Sequence, residues 1–419
     1  MKFGKLLFML AISAGFIVAQ GSDVFAQLVV DDDGRATFNN CNASAPTFNT
    51  IQGAVNAAVP GTIIRVCPGT YQEQVNISGP GKNNITLISV VRLAAIIKAP
   101  AISAPALPFD IVTVNNARDV SLVAFTITGP FPDTSFCNEF LISGVRIIGN
   151  GSANIVRNKI TEMRSANPAL RGCQNGFAIA VGRTFELQTG QANIIENLIE
   201  KYQKGGIYVD NVGSAVRIAD NDIRGEAALN TIAQNGIQIS RGATADIRRN
   251  RISDNVYITP VNSEATSASA VIIFEAGQVS AERNRLFRNQ DGFAVFTADG
   301  NVTISDNRII GGILPFPVEL GVLNFGDGIF MNADTLNNRL LRNFLRDNSE
   351  HDCHDDSVGL NNPPALVANI WRGNDGLTEN KPGLCRQGGN GGGDGDDDND
   401  DDDNDDDDGD DDDEGDDDD

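Results

Sequence analysis

Histidine is almost missing from this chain: 419 residues hold two, His351 and His354, and both lie in the stretch "HDCHDD" near the end. Tryptophan occurs once, and no CxxC pair occurs at all. Metal sites built on closely spaced His and Cys are therefore not expected. "DCHDD" reads instead as a cap turn anchored by Cys353. Beyond the N-terminal segment no apolar run approaches the roughly 20 residues of a membrane span. Helical periodicity long enough for a crossover helix is missing too, which argues against a doubly wound α/β sheet.

The ends of the chain are informative. Lys2 and Lys5 precede an apolar run that closes with small residues at Ala26, the pattern of a secretory signal covering 1–26. The six cysteines form an even set, and an exported chain places such a set in disulfides. Many pairings are open; joining sequence neighbours gives Cys41–Cys67, Cys137–Cys173 and Cys353–Cys385. The chain then divides into the signal, a folded domain over 27–386 and a Gly/Asp-rich tail over 387–419. From Asp394 onward the tail holds twenty Asp and one Glu with no Lys or Arg, so it carries nearly all of the net charge of −24. Such a segment has no apolar surface to bury and is expected to be disordered. It offers weak calcium binding and no complete EF-hand loop. The rest is nearly balanced, so nucleic acid is not an expected partner.

What the chain has in quantity is one repeated phrase. "VRIADNDI" from 216, "ADIRRNRI" from 245 and "VTISDNRI" from 302 share a hydrophobe, two residues, Asn, one residue and a hydrophobe. Seven copies align on Asn158, Asn197, Asn221, Asn250, Asn284, Asn307 and Asn343, with separations of 39, 24, 29, 34, 23 and 36 residues. An apolar pair precedes each: Val145/Ile147, Phe177/Ile179, Ile207/Val209, Ile237/Ile239, Val271/Ile273, Phe293/Val295 and Ile329/Met331. Alternation with period two means short strands with one buried face. Three such strands per repeat, stacked on the next repeat at about 4.8 Å, build a parallel coil around a column of Ile and Val. The Asn falls at the bend between second and third strands, where it is expected to take the left-handed conformation. Its amide is expected to join coil to coil in a ladder.

"GIQIS…ADIRRNRIS" and "GFAVF…VTISDNRII" resemble the right-handed parallel β-helix repeats of the pectin-lyase-like superfamily. "FNTIQGAVNAAVPGTIIRVCPGTYQEQVNI" is similar to the entrance of its members, and "HDCHDDSVG…NIWRGNDG…KPGLC" to the closing coil of secreted bacterial repeat proteins. The resemblance spans about 46 to 386. It implies an all-β, single-stranded right-handed parallel β-helix of about nine coils, with a capping helix near 49–59 and a disulfide-tied C-terminal cap. For function it implies work at extracellular or cell-envelope polysaccharide, by binding or by lyase, epimerase or, less favoured, glycoside hydrolase chemistry. The fold does not choose among these. Paired Asp with Gly-His-Gly, as in the pectin hydrolases, does not occur here. The esterase-like stretch is matched only by "FGDGIF", which lacks its arrangement.

Two faces carry candidate chemistry. Extra residues at 128–143, 163–175, 256–269 and 313–326 fall between third and first strands, the edge that walls the substrate cleft in the superfamily. By alternation the outward residues along the first strands begin with Arg146, Ala178, Tyr208 and Gln238, with Asp210 beside them. Arg146, Arg183, Tyr208, Asp210, Gln238, Arg241 and Glu275 form the candidate binding face. Phe274, Phe296 and Phe330 read as packed under insertions, and Asp291 and Asp327 as turn residues. The carboxylates and base of a calcium-dependent lyase are not assembled there, so no catalytic set, no metal and no required cofactor is assigned. On the opposite edge, Arg157, Arg249, Arg283 and Arg342 stand on one side of the Asn column. Lys159, Arg251, Arg285 and Arg308 stand on the other. Glu196, Asp220, Asp222 and Asp306 interrupt them. This edge is either laced with ion pairs between coils or a polyanion stripe at Arg249, Arg251, Arg283, Arg285 and Arg308. Oligomeric state is not legible.

Overall fold

A computed structural model describes residues 27–101, 109–132, 137, 141–258, 267–311 and 326–385. The expected signal segment, the acidic tail and most of the insertions 256–269 and 313–326 lie outside the described residues. Three parallel sheets run along the domain. The first strands form a sheet of ten, from Val75–Ser78 to Cys353–Asp355. The second strands form a sheet of twelve, from Gln27–Val30 to Ile370–Arg372, and the third a sheet of ten, from Gly69–Gln72 to Phe344–Arg346. The ladder is longer than the repeat indicated. Gln27–Val30 pairs with Ile63–Val66, and Cys353–Asp355 and Ile370–Arg372 extend their sheets through the segment read as a plug. Gln27–Val30 and Cys353–Asp355 do not carry the repeated phrase, and Ile370–Arg372 leads into a partial copy of it, Trp371, two residues and Asn374.

The alternating hydrophobes fill the interior as columns. Ile155, Ile194, Ile218, Ile247, Ala281, Ile304, Leu340 and Trp371 stand in register on successive coils. None is more than 4% exposed. Each Ile so buried contributes about 1.5–3 kcal/mol. The single tryptophan closes the column, its Nε1–H donating to the buried Asp355 carboxylate at 2.7 Å. At the other end the helix Ile51–Ala57 covers the interior with Ile51, Ala54 and Val55. Thr50 Oγ1 accepts from Gly53 N, and the Glu73 carboxylate takes the Ile51 and Gln52 N–H groups at 2.8 Å each. Those donors have no partner within the helix, so the cap is what lets so short a helix persist.

The amide ladder is present, and its mechanism differs from the expected one. The N–H and Nδ2–H of Asn221 both donate to Asn250 Oδ1, at 3.0 and 2.9 Å. The same pattern runs from Asn158 to Asn343 and on to Asn374. Shorter columns join Asn255 to Asn289 and Asn338 to Asn369. The left-handed residue is not the Asn but the one before it. Arg157, Glu196, Asp220, Arg249, Arg283, Asp306 and Arg342 have φ between 52° and 58°. That turn leaves the Asn N–H and amide facing along the axis toward the next coil, so burial and hydrogen bonding select Asn here. Conformational tolerance does not.

One repeat is shifted. Val145 and Ile147 pair with Ile179 and Val181, so Ala180, not Ala178, stands in the row with Arg146 and Tyr208. Phe177 is left outside the main core, packed with Leu141, Ala180 and Tyr208. The three disulfides are Cys41–Cys67, Cys137–Cys173 and Cys353–Cys385.

Candidate functional site

The outward side of the first-strand sheet is not an open polar face. Arg146 and Asp210 are fully buried and Tyr208 is 2% exposed. The cover is the segment joining first and second strands in the second repeat, which contains a 3-10 turn over Thr184–Glu186. Arg146 lies between two carboxylates, Asp110 Oδ2 at 3.5 Å and Glu186. Ser143 Oγ donates to Asp110 at 2.5 Å. Burial pushes the Asp110 carboxyl up to about 6, against the downward pull of Arg146 and Ser143. Asp210 accepts from Thr184 N at 2.7 Å and from Arg241 Nη1 at 3.0 Å. The Tyr208 hydroxyl accepts from Arg183 at 3.1 Å and Arg241 at 3.3 Å. Burial, and then the Asp210 charge, push that phenol up to about 12.

Five of the seven residues assigned to this face thus lie under or against one cover, their polar groups spent on one another and on the cover. Gln238 is half-buried and donates to Ser240 Oγ at 3.0 Å, and Glu275 is exposed; both stand outside these contacts. Asp110, Ser143, Thr184 and Glu186 were not legible as members. The one trace in the sequence, for Thr184 and Glu186, is the long stretch before Asn197, 21 residues from Gly176 against 14 or 15 in the other repeats. What this face shows to solvent is Phe185, 73% exposed, with the guanidinium groups of Arg183 and Arg241 5.1 and 5.0 Å from its ring.

The opposite edge is sorted by the Asn column. On the left-handed side the charges cancel between neighbouring coils. Arg157 pairs with Glu196, Arg249 with Asp220 and Arg342 with Asp306, the last two at 2.7 Å through both nitrogens. Arg283 reaches Glu282 at 3.4 Å. Beyond the Asn the arrangement differs. Lys159 pairs with Glu200, but Arg251, Arg285 and Arg308 stand exposed and in register on three consecutive coils. No carboxylate pairs with any of the three among the described residues. Arg251 stacks on Phe287 at 4.4 Å and Arg308 on Phe344 at 4.8 Å. A groove lined by these three with Arg249, Arg283 and Asp306 runs along the edge. Like charges at a coil spacing of about 4.8 Å repel, and an anion laid across them relieves that repulsion.

The sequence profile described as "Right handed beta helix region" matches residues 185–362. The chain is a right-handed parallel β-helix. Solved structures similar to it include the periplasmic alginate epimerase AlgG, at 14% identity, covering 77% of this chain and 75% of that one with a TM-score of 0.38. Pectate lyase Pel9A matches at 14% identity over 66% and 76%, with a TM-score of 0.42. Pectin methylesterase PemA from Erwinia chrysanthemi matches at 13% over 68% and 79%, with 0.31. No curated protein matches by sequence. Three disulfides point to an oxidising compartment, so the β-helix is an exported protein. No helix among the described residues is long and apolar enough to cross a membrane.

The last coils of the β-helix hold a third polar group. Asp291 opens the strand Asp291–Phe296 and accepts from Ser267 Oγ and from Asp327 N on the next coil, at 3.2 Å for the latter, so it joins coils rather than closing a turn. Burial raises the Asp291 carboxyl to about 7. Asp327 does more than make a turn. Its two oxygens lie 3.5 Å from His351 Nδ1 and 2.9 Å from His354 Nδ1. Burial opposes a charge on His354, but Asp327 and Asp356 outweigh it and hold the imidazole up at about 9. Phe330 meets His354 edge-on at 5.0 Å and Phe296 at 5.6 Å, so the half-buried aromatics continue into this group. The insertions read as covering them lie largely outside the described residues.

Proposed function

We propose that the β-helix is a secreted protein that binds acidic polysaccharide without turning it over, along the edge at Arg251, Arg285 and Arg308. The observation that carries this reading is the run of three exposed guanidinium groups in register with no carboxylate partner among the described residues, on an edge where the neighbouring cations are paired. A linear polyanion presents charge at intervals along a line, and so does this row. The flanking Phe287 and Phe344 hold the guanidinium planes and supply apolar surface beside them. The alternative is a uronate lyase or C5-epimerase, which needs a free base and carboxylates on an accessible face. Tyr208, Asp210, Arg183 and Arg241 are bound to one another, which favours binding over catalysis. No cofactor enters this reading; the Asp-rich tail is proposed to take up calcium weakly.

Replacing Arg251, Arg285 and Arg308 together by Gln is expected to weaken binding to polygalacturonate or alginate at low salt by about tenfold or more, three exposed ion pairs being worth about 0.5–1 kcal/mol each. The effect shrinks at high salt. The melting temperature is expected to hold or rise, since a repulsion is removed. Unchanged affinity, or equal binding of a DNA oligomer, overturns the proposal. Unsaturated product or a changed epimer ratio would establish the enzyme reading instead.

A further inference from the structure

We propose that Asp327, His351 and His354 form a binding site for a divalent first-row transition metal ion of the zinc or cobalt kind. The site lies on the first-strand sheet, away from the arginine edge, and does not rest on the polysaccharide reading. The three side chains come together through the fold. Asp327 precedes the strand Ile329–Met331, His351 precedes the strand Cys353–Asp355, and these strands pair in register. One ligand atom from each residue lies within 4.8 Å of the others. Two donors on a zinc ion, each at about 2.0–2.1 Å, stand roughly 3.3 Å apart in tetrahedral geometry. Each imidazole nitrogen lies near that distance from one carboxylate oxygen, His354 Nδ1 at 2.9 Å from Oδ2 and His351 Nδ1 at 3.5 Å from Oδ1.

The orientation of the rings is the second argument. His351 Nδ1 and His354 Nδ1 are buried, and although each is near Asp327, neither is aligned for a hydrogen bond. His354 is held from behind, its Nε2 lying 3.0 Å from Asp356 Oδ1. A carboxylate on the far nitrogen of a ligating imidazole fixes the tautomer that leaves the near nitrogen free for metal. His351 is anchored through its backbone N–H, which donates to Asp327 Oδ1 at 3.0 Å, and the His354 strand is tied by Cys353–Cys385. Two imidazoles and one carboxylate favour zinc, cobalt, nickel or copper over calcium and magnesium. A ligating imidazole nitrogen must be unprotonated, so any proton on His354 Nδ1 leaves to solvent as the metal enters.

The test is calorimetric titration of the full chain with Zn2+ after chelator treatment and desalting. The tail carboxylates bind cations in every variant, so the comparison is between chains that all carry it. Wild type is expected to show one tight site above that background, with a rise in melting temperature. His351→Gln/His354→Gln is expected to lose the site. Asp356→Asn leaves all three ligands in place and is expected to weaken it by about 10–100-fold. That variant keeps the test decisive if the double variant folds poorly. Identical isotherms for wild type and the variants, or displacement of Zn2+ by equimolar Ca2+, would overturn the proposal.

Discussion

Asn250→Leu is expected to destabilise the β-helix by about 3–5 kcal/mol, far more than the loss of one polar contact, because the side chain serves two coils. Asn250 Oδ1 takes both the N–H and the Nδ2–H of Asn221. Its own Nδ2 donates to Asn284 Oδ1 at 3.0 Å and to the Ile218 carbonyl at 2.9 Å. Leucine has the same branching but larger methyl groups, which at this 1%-exposed site would stand against the polar atoms that Asn250 holds at 2.9–3.0 Å. It leaves the Asn221 N–H buried without an acceptor, which costs about 1–3 kcal/mol, takes one of three acceptors from Asn221 Nδ2 and removes the donor to the Ile218 carbonyl. Asn158 is the internal control. It begins the column, and its Oδ1 takes the single N–H of Phe125 without an amide Nδ2–H beside it, so Asn158→Leu is expected to cost less by about 1 kcal/mol, the net worth of one hydrogen bond. Chemical denaturation of both variants measures this. Equal losses at the two positions would mean that the column does not act as a relay between coils.

The same column shows where sequence reasoning was sufficient and where it was not. The phrase around each Asn identified the coils, because burial on one face and an amide on the axis are both local demands that recur in every turn. Asn is also a frequent left-handed residue, and that statistic pointed to the wrong position. The backbone reverses at the preceding Arg, Asp or Glu, whose identity is free because its side chain is in solvent. Alternation correctly set Arg146 outside the core, yet it cannot reveal a cover. The cover comes from a 183–189 insertion within the next repeat and from Asp110 on the preceding coil. The meeting of Asp327 with His351 and His354 was likewise hidden, since it depends on a register that follows the long insertion at 313–326. Arg251, Arg285 and Arg308 were legible by position. Their separation from the paired Arg249 and Arg342 required knowing which carboxylates each coil turns toward them.

Arg146→Met is expected to destabilise the protein by about 3–5 kcal/mol near neutral pH, and by less at pH 5. The arginine is fully buried between Asp110 and Glu186. Glu186 belongs to the half-exposed cover and can turn to water when its partner is lost. Asp110, 6% exposed on its strand, cannot. In the wild type its carboxyl stands raised at about 6, so between the ordinary value of 3.8 and about 6 the native state keeps a proton that the unfolded chain has released. Stability therefore falls as pH rises through that window and levels off above it. Removing Arg146 removes a charge that lowers this value, so the variant's Asp110 rises further and the fall continues above pH 6. Each additional unit widens the deficit by about 1.4 kcal/mol. At pH 5 Asp110 is largely protonated in both native proteins, and the variant lacks only the packing and hydrogen bonds of the guanidinium. Adding Asp110→Asn to Arg146→Met removes the uncompensated charge and is expected to restore most of the stability lost at pH 8. Denaturation curves for the three proteins at pH 5 and pH 8 decide the matter. A deficit that does not change with pH, or a double variant no more stable than Arg146→Met at pH 8, would show that Asp110 is not what Arg146 holds in place.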